Sequence, residues 1–244
     1  MHVRRFDSLD ALRGLAIVWM TVFHFCFDLN YFGYLKQNFY ADPFWTWQRS
    51  AIVSLFLFTA GLGQAVAVQQ GQSWPRFWRR WALVAGGALL VSIGSWAMYP
   101  RSFIYFGVLH GMAVMLIIVR LTAGWGRWLW WLGVAAMTLA LLAPWGHAAW
   151  PALDFLNQRL FNWLGLISRK PITEDYVPLL PWLGVMWWGM AAGAWVQRKQ
   201  PHWLALNLGT AGKPLAGLGR WSLSYYLLHQ PVLMGLLMAI SALR

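Results

Sequence analysis

Seven stretches of this sequence are apolar for long enough to cross a bilayer, and no other feature limits the fold as strongly. A transmembrane helix needs about 20 predominantly apolar residues. Candidate runs occupy Ala11 to Phe27, Trp47 to Val68, Trp81 to Met98, Phe103 to Val119, Trp128 to Ala143, Leu179 to Val196 and Trp221 to Leu243. Turn-forming residues separate several of them: Gly71 to Pro75, Tyr99-Pro100, Gly124 to Gly126 and Gly209 to Gly219. Of the 244 residues 59% are hydrophobic and 11% charged, whereas soluble domains carry about 25% charged residues. That excludes an ordinary soluble enzyme, and the lone Cys26 excludes a disulfide scaffold. The expectation is an all-α polytopic helical membrane protein, about seven transmembrane helices in one bundle, forming a single domain over residues 1–244.

The net charge of +12 would suit nucleic acid only on a solvated face. Here the cations lie between apolar runs, where they set orientation, so no nucleic-acid partner is expected. Alternating the linkers puts Arg4, Arg5, Arg13, Arg76, Arg79, Arg80, Arg120, Arg127, Arg198, Lys199, Lys213 and Arg220 on one side. The other side receives Lys36, Arg49, Arg101, Arg159, Arg169, Lys170 and Arg244, with Asp28, Asp42, Asp154, Glu174 and Asp175. The first set carries the cation excess, so the N-terminus should be cytoplasmic and the C-terminus outside, most simply in a bacterial inner membrane. Arg4 and Arg5 imitate the start of a signal peptide. No small-residue cleavage site follows, and polar residues interrupt the run, so a retained helix is expected.

Leu153, Leu156, Leu160, Trp163, Leu164 and Ile167 recur at helical spacing in the longest linker. Either an amphipathic surface helix or a plain connector would accommodate them. Gly189 and Gly193 form a GxxxG pair, and Gly107 and Gly111 bracket His110, which predicts close helix packing at both places. Most of the 20 tryptophans fit interfacial belts and core packing.

The first run carries a polar track. Asp10, Arg13, Thr21, His24 and Asp28 fall within an arc of about 80° on a helix. A charge near the bilayer centre costs at least about 2.5 to 3.5 kcal/mol, so this face should meet protein or a wet cavity. His24 is placed to act as a general base near the outer mouth, with Asp28 one turn later to orient its ring. A snorkelling Arg13 and a purely packing His24 remain the alternative. In the last run Ser222, Tyr225, Tyr226 and His229 share one face, ahead of Gln230-Pro231. Such hydroxyl and imidazole groups suit either substrate contact or interhelical hydrogen bonding, and the same choice stands for His110. The sequence holds no HExxH, CxxC, P-loop or GxSxG motif, and no metal is expected.

Four stretches resemble the transmembrane acyltransferase superfamily, in particular the bacterial branch related to heparan-alpha-glucosaminide N-acetyltransferase. They are Arg5-Phe6-Asp7-Ser8-Leu9-Asp10-Ala11-Leu12-Arg13-Gly14-Leu15-Ala16 running on to His24, Ser54 to Gly61, Phe106 to Ala113, and Gly219 to Pro231. The resemblance implies that cytoplasmic acetyl-CoA gives its acetyl group to an amine or hydroxyl of an extracytoplasmic sugar or glycan. In the lysosomal branch the catalytic histidine follows the first helix. Leu29 to Thr46 contains no histidine here, which leaves His24 as the best-placed base, with Asp28 beside it. The cation-rich face would attract the polyanionic nucleotide of acetyl-CoA. Arg13, Asp10, His110, Arg220, Ser222, Tyr225, Tyr226 and His229 are then the candidates for binding acetyl-CoA or acceptor. Direct transfer and an acetyl-histidine intermediate both remain open, as does a homodimer. The rival readings are a transporter using the track as a permeation path, or a haem-binding membrane subunit.

Overall fold

A computed structural model describes residues 5–243; Arg4 and Arg244, placed above on opposite sides, lie outside the described residues. Eight α-helices follow in order: α1 (Asp7–Tyr31), α2 (Pro43–Gln69), α3 (Trp74–Met98), α4 (Val108–Leu121), α5 (Trp128–Ala149), α6 (Leu179–Lys199), α7 (Gly209–Arg220) and α8 (Ser222–Ala242). All but α4 and α7 are long and apolar enough to cross a membrane. The 25 residues of α1 span about 38 Å at 1.5 Å per residue, more than the hydrocarbon thickness of about 30 Å. Asp7 and Asp10 in its first turn complement the positive end of the helix dipole. At the start of α2 the carboxylate of Asp42 accepts the Phe44 N–H at 2.8 Å, which satisfies one of the helix's open donors.

The fourth expected span is shorter than the sequence suggested. Its helix begins at Val108, and residues 103–107 lie outside it. The cause is a competing set of partners: Glu174 N–H donates to Ser102 O, Val177 N–H to Phe106 O, and Phe106 bridges to Tyr176. Asp175 then accepts the Val108 N–H at 2.8 Å and starts the helix. The 14 residues of α4 span about 21 Å.

The long linker adopts the connector alternative. Short 3-10 turns at Pro151–Asn157 and Asn162–Leu164 replace an amphipathic α-helix. Asn157 accepts the N–H groups of Ser168 and Arg169, and Gly165 sits in the left-handed region at φ 87°. Both features fold the chain back on itself, which hydrophobic period cannot reveal. The Asn157 amide donates to Asp154, holding that exposed carboxyl below its usual range, and Arg169 adds to the effect. The helix that precedes this linker, α5, runs past its expected stop at Ala143, through Pro144, to Ala149.

The chain forms two compact groups, 57–200 and 5–56 with 201–243, sharing the two halves of α2. In the first, α2 and α6 pack backbone to backbone as the GxxxG pair predicts. Gly189 lies against Phe58 O, Gly193 against Leu62 and Ala65, and Gly61 against Met186 O. Trp81 Nε1 of α3 donates to Ala113 O of α4 at 2.9 Å. Trp187 Nε1 of α6 donates to Thr122 Oγ1, just beyond α4, at 3.0 Å.

In the second group α1 lies between α7 and α8. The Gly209 to Gly219 segment, expected to be a turn, is the helix α7. It runs antiparallel to α1, with Gly219 against Asp10 O and Gly14 against Leu215 O. Helix α8 runs parallel to α1: Thr21 meets Tyr225, Asp28 meets Gln230, and Tyr34 meets Ser241.

Candidate active site

The side of α1 that the sequence marked as polar is the side that packs inward. Leu12, Leu15, Val18, Val22 and Phe25 form its exposed stripe, while Asp10, Ile17 and Asp28 are buried. The stripe follows from helical period: each exposed position is three or four residues from the next, which keeps them on one face.

At the α1 N-terminus four charges gather. Arg13 pairs with Asp10 at 3.0 Å, and Arg220 at the end of α7 pairs with Asp7 at 2.7 Å and approaches Asp10 at 3.9 Å. The partly exposed Arg220–Asp7 pair adds at most about 1 kcal/mol; its consequence is geometric, since it fixes the end of α7 against α1. Among the described residues these ion pairs join two cations to two anions. Sequence reasoning counted these arginines as part of a cation excess and did not find Asp7 as the partner of Arg220. Ser222, one residue past Trp221, opens α8 at this same end.

Farther along α1, Thr21 Oγ1 and Tyr225 OH are 3.0 Å apart. One turn beyond, the rings of His24 and His229 meet edge to face, with centroids 5.1 Å apart and planes at 61°. Tyr225 stacks on His229 with centroids 6.0 Å apart and planes 9° apart, and the Tyr226 ring lies tilted at 5.8 Å. The Nδ1 atom of His229 is 2.8 Å from Tyr226 O. A carbonyl oxygen can only accept, so Nδ1 carries the proton and Nε2 presents a lone pair. That Nε2 is buried and has no hydrogen-bond partner among the described residues.

Asp28, 1% exposed, accepts from Gln230 Nε2 at 2.7 Å through Oδ1. Its expected partner was His24, and the structure instead ties it across to α8. The reason is that Gln230 brings a good donor onto the facing helix, which periodicity within α1 cannot show. Asp28 Oδ2 and Gln230 Oε1 are buried without partners among the described residues, so with His229 Nε2 three acceptor atoms await donors. Gln230 was missed as a site residue; its only sequence signal was adjacency to His229.

His110 falls in the other group and caps α4. Its Nδ1 accepts from the Gly107 N–H at 3.3 Å, and its Nε2 lies 3.0 Å from Ser92 Oγ, which donates to Ile104 O. Both ring nitrogens are therefore engaged in holding the fold. No group of three or more His, Cys, Asp or Glu that could hold a metal occurs among the described residues.

These features define a polytopic helical membrane protein with a polar track between two parallel helices and a histidine pair within it. The chain belongs to the heparan-alpha-glucosaminide N-acetyltransferase catalytic family, whose model matches residues 5–231 and so includes every candidate site residue. Membership makes it an acetyltransferase-type membrane enzyme. No individual curated protein and no solved structure matches it.

Proposed function

We propose that this enzyme carries an acetyl group from cytoplasmic acetyl-CoA to an amine or hydroxyl of a sugar or glycan on the far side of a bacterial inner membrane. The observation that supports it is the track between α1 and α8, which leads from the charged cluster at Asp10, Arg13 and Arg220 to the His24–His229 pair. Asp10 and His24 are 14 residues apart in α1, about 21 Å along its axis, a span suited to the long, flexible pantetheine arm.

With the N-terminus cytoplasmic, the polyphosphate of CoA stays at the cation-rich face and the thioester reaches the histidines. A histidine of the pair takes the acceptor's proton as it attacks the acetyl carbonyl, and hydrogen-bond donors such as Tyr226 or a backbone N–H stabilise the oxyanion. Asp28 and Gln230 offer the open acceptors that a hydroxyl- or amine-rich sugar would fill.

The test is sidedness. In oriented vesicles, labelled acetyl-CoA supplied only to the cytoplasmic face should acetylate members of an amino- and hydroxy-sugar array enclosed on the other side, without CoA crossing. Acetylation that occurs only when donor and acceptor share the cytoplasmic side would overturn the transmembrane mechanism. Ionic strength gives a second measurement. Molar salt shortens the Debye length to about 3 Å and should raise KM for acetyl-CoA while leaving kcat nearly unchanged, as loss of uniform binding does.

A further inference from the structure

The end of the first group where α2 and α4 stop and α3 and α5 start carries a charge that the group does not neutralise. Arg76, Arg79 and Arg80 lie in the first turns of α3, Arg120 in the last turn of α4, Arg127 just ahead of α5, and Arg198 and Lys199 in the last turn of α6. The acids of residues 57–200 are Asp154, Glu174 and Asp175, all in the linker from α5 to α6, at the opposite end. In the second group Asp7 and Asp10 already pair with Arg220 and Arg13. Neutralising anions must come from outside the chain.

Arg120 differs from the other cations in being built into the corner between α3 and α4. Its guanidinium lies over the Trp74 and Phe77 rings, 5.2 and 5.7 Å from their centroids, and its Nη2 donates to Gln72 O. Its Nη1 is buried and has no acceptor among the described residues; Gln72 Oε1, likewise buried and unpartnered, does not serve it. A buried charged donor without an acceptor is costly, and a stacked guanidinium keeps its N–H edge for a planar or phosphate-like oxygen pair. From this corner an apolar strip continues along α3. Trp74, Trp78, Leu89 and Ile93 fall within an arc of about 100°, and all four are exposed. Trp78 to Ile93 covers about 22 Å, more than one leaflet of a hydrocarbon core about 30 Å thick. Indoles at its head suit the membrane–water boundary.

We infer that this corner is a binding site for an anionic phospholipid, with its phosphate on Arg120 and an acyl chain along Trp78, Leu89 and Ile93. Trp74 is the cover: its exposed ring swings outward as a phosphate oxygen reaches Nη1. A second copy of this chain suits the strip less well, because copies inserted alike bring the same unneutralised cations level with one another. An anionic lipid supplies both the missing charge and the apolar tail. The inference concerns the first group alone and does not depend on the acetyl-transfer reading.

The probes are dioleoyl phosphatidylglycerol, the matching phosphatidylcholine with the same tails and no net charge, inorganic phosphate and CoA, each titrated into delipidated protein in a neutral detergent. Phosphatidylglycerol should raise the thermal unfolding midpoint, half-maximally at a concentration about fivefold or more below that of phosphatidylcholine. Inorganic phosphate over the same range should not. Arg120→Gln should weaken the phosphatidylglycerol response about tenfold and make the two lipids alike. Lys199→Gln, which removes the same charge from the end of α6, should leave it within about twofold. Equal responses to the two lipids, or equal losses in the two variants, would overturn the site and leave only diffuse attraction. A CoA response that Arg120→Gln abolishes while the phosphatidylglycerol response persists would assign the guanidinium to a nucleotide phosphate and overturn the lipid site. Native mass spectrometry of the unaltered protein needs no variant: from an equimolar mixture of the two lipids it should retain phosphatidylglycerol, and retention of phosphatidylcholine in equal amount would overturn the inference.

Discussion

Replacing His24 with alanine lowers acetyl-transfer turnover by about 10²- to 10⁴-fold, the usual contribution of a positioned proton-transfer group. The size of the effect follows from where the ring sits. His24 lies at the level of α1 where α8 brings up His229, at a ring separation of 5.1 Å. The substitution should leave the fold intact, because the α1–α8 pairing is held by Thr21 with Tyr225 and Asp28 with Gln230. Initial rates with labelled acetyl-CoA, at matched amounts of monodisperse protein, measure it. Asp28→Asn should cost much less, since asparagine keeps an oxygen to accept from the Gln230 amide. A folded His24→Ala enzyme with near-normal turnover would remove His24 from the chemistry.

The second large effect is on stability. Gly219→Val should destabilise the protein by about 1 to 3 kcal/mol or more, read as a lowered midpoint in thermal unfolding followed by tryptophan fluorescence. A Cβ at residue 219 would fall well inside the van der Waals surface of the Asp10 carbonyl, and close to the Gly14 N–H. Both neighbours are backbone of α1, so no side chain can swing aside, and the only relief is separation of α7 from α1. That movement would also pull Arg220 from Asp7 and Asp10. Gly217 is the control: a Cβ there meets nothing within 4 Å. Gly217→Ala should be neutral or stabilising by roughly 0.5 to 1 kcal/mol, the helix preference of alanine over glycine. An unshifted midpoint for Gly219→Val would mean that α7 does not pack on α1 in this way.

Much of this protein was determined by its sequence alone. Apolar runs near 20 residues leave a bilayer-spanning helix as the form that satisfies every backbone group, so the class of fold follows from length and polarity. Helical period then dictates that Asp10, Arg13, His24 and Asp28 share a face opposite Leu12, Leu15, Val22 and Phe25, and that face is the inward one. The spacing of Gly189 and Gly193 likewise announced the close approach of another helix. Tertiary structure alone decided who meets whom. The glycines and proline of 209–220 read locally as a turn, and they form α7 because α1 offers Gly14 and the Asp10 carbonyl at a distance only glycine permits. Asp28 bonds to Gln230 on α8 and not to His24 on its own helix. The two histidines are 205 positions apart in the chain and become neighbours only because α1 and α8 run parallel. Periodicity along one helix fixes which face a residue occupies; the donor or ring it finds there belongs to another segment, and only packing brings that segment to it.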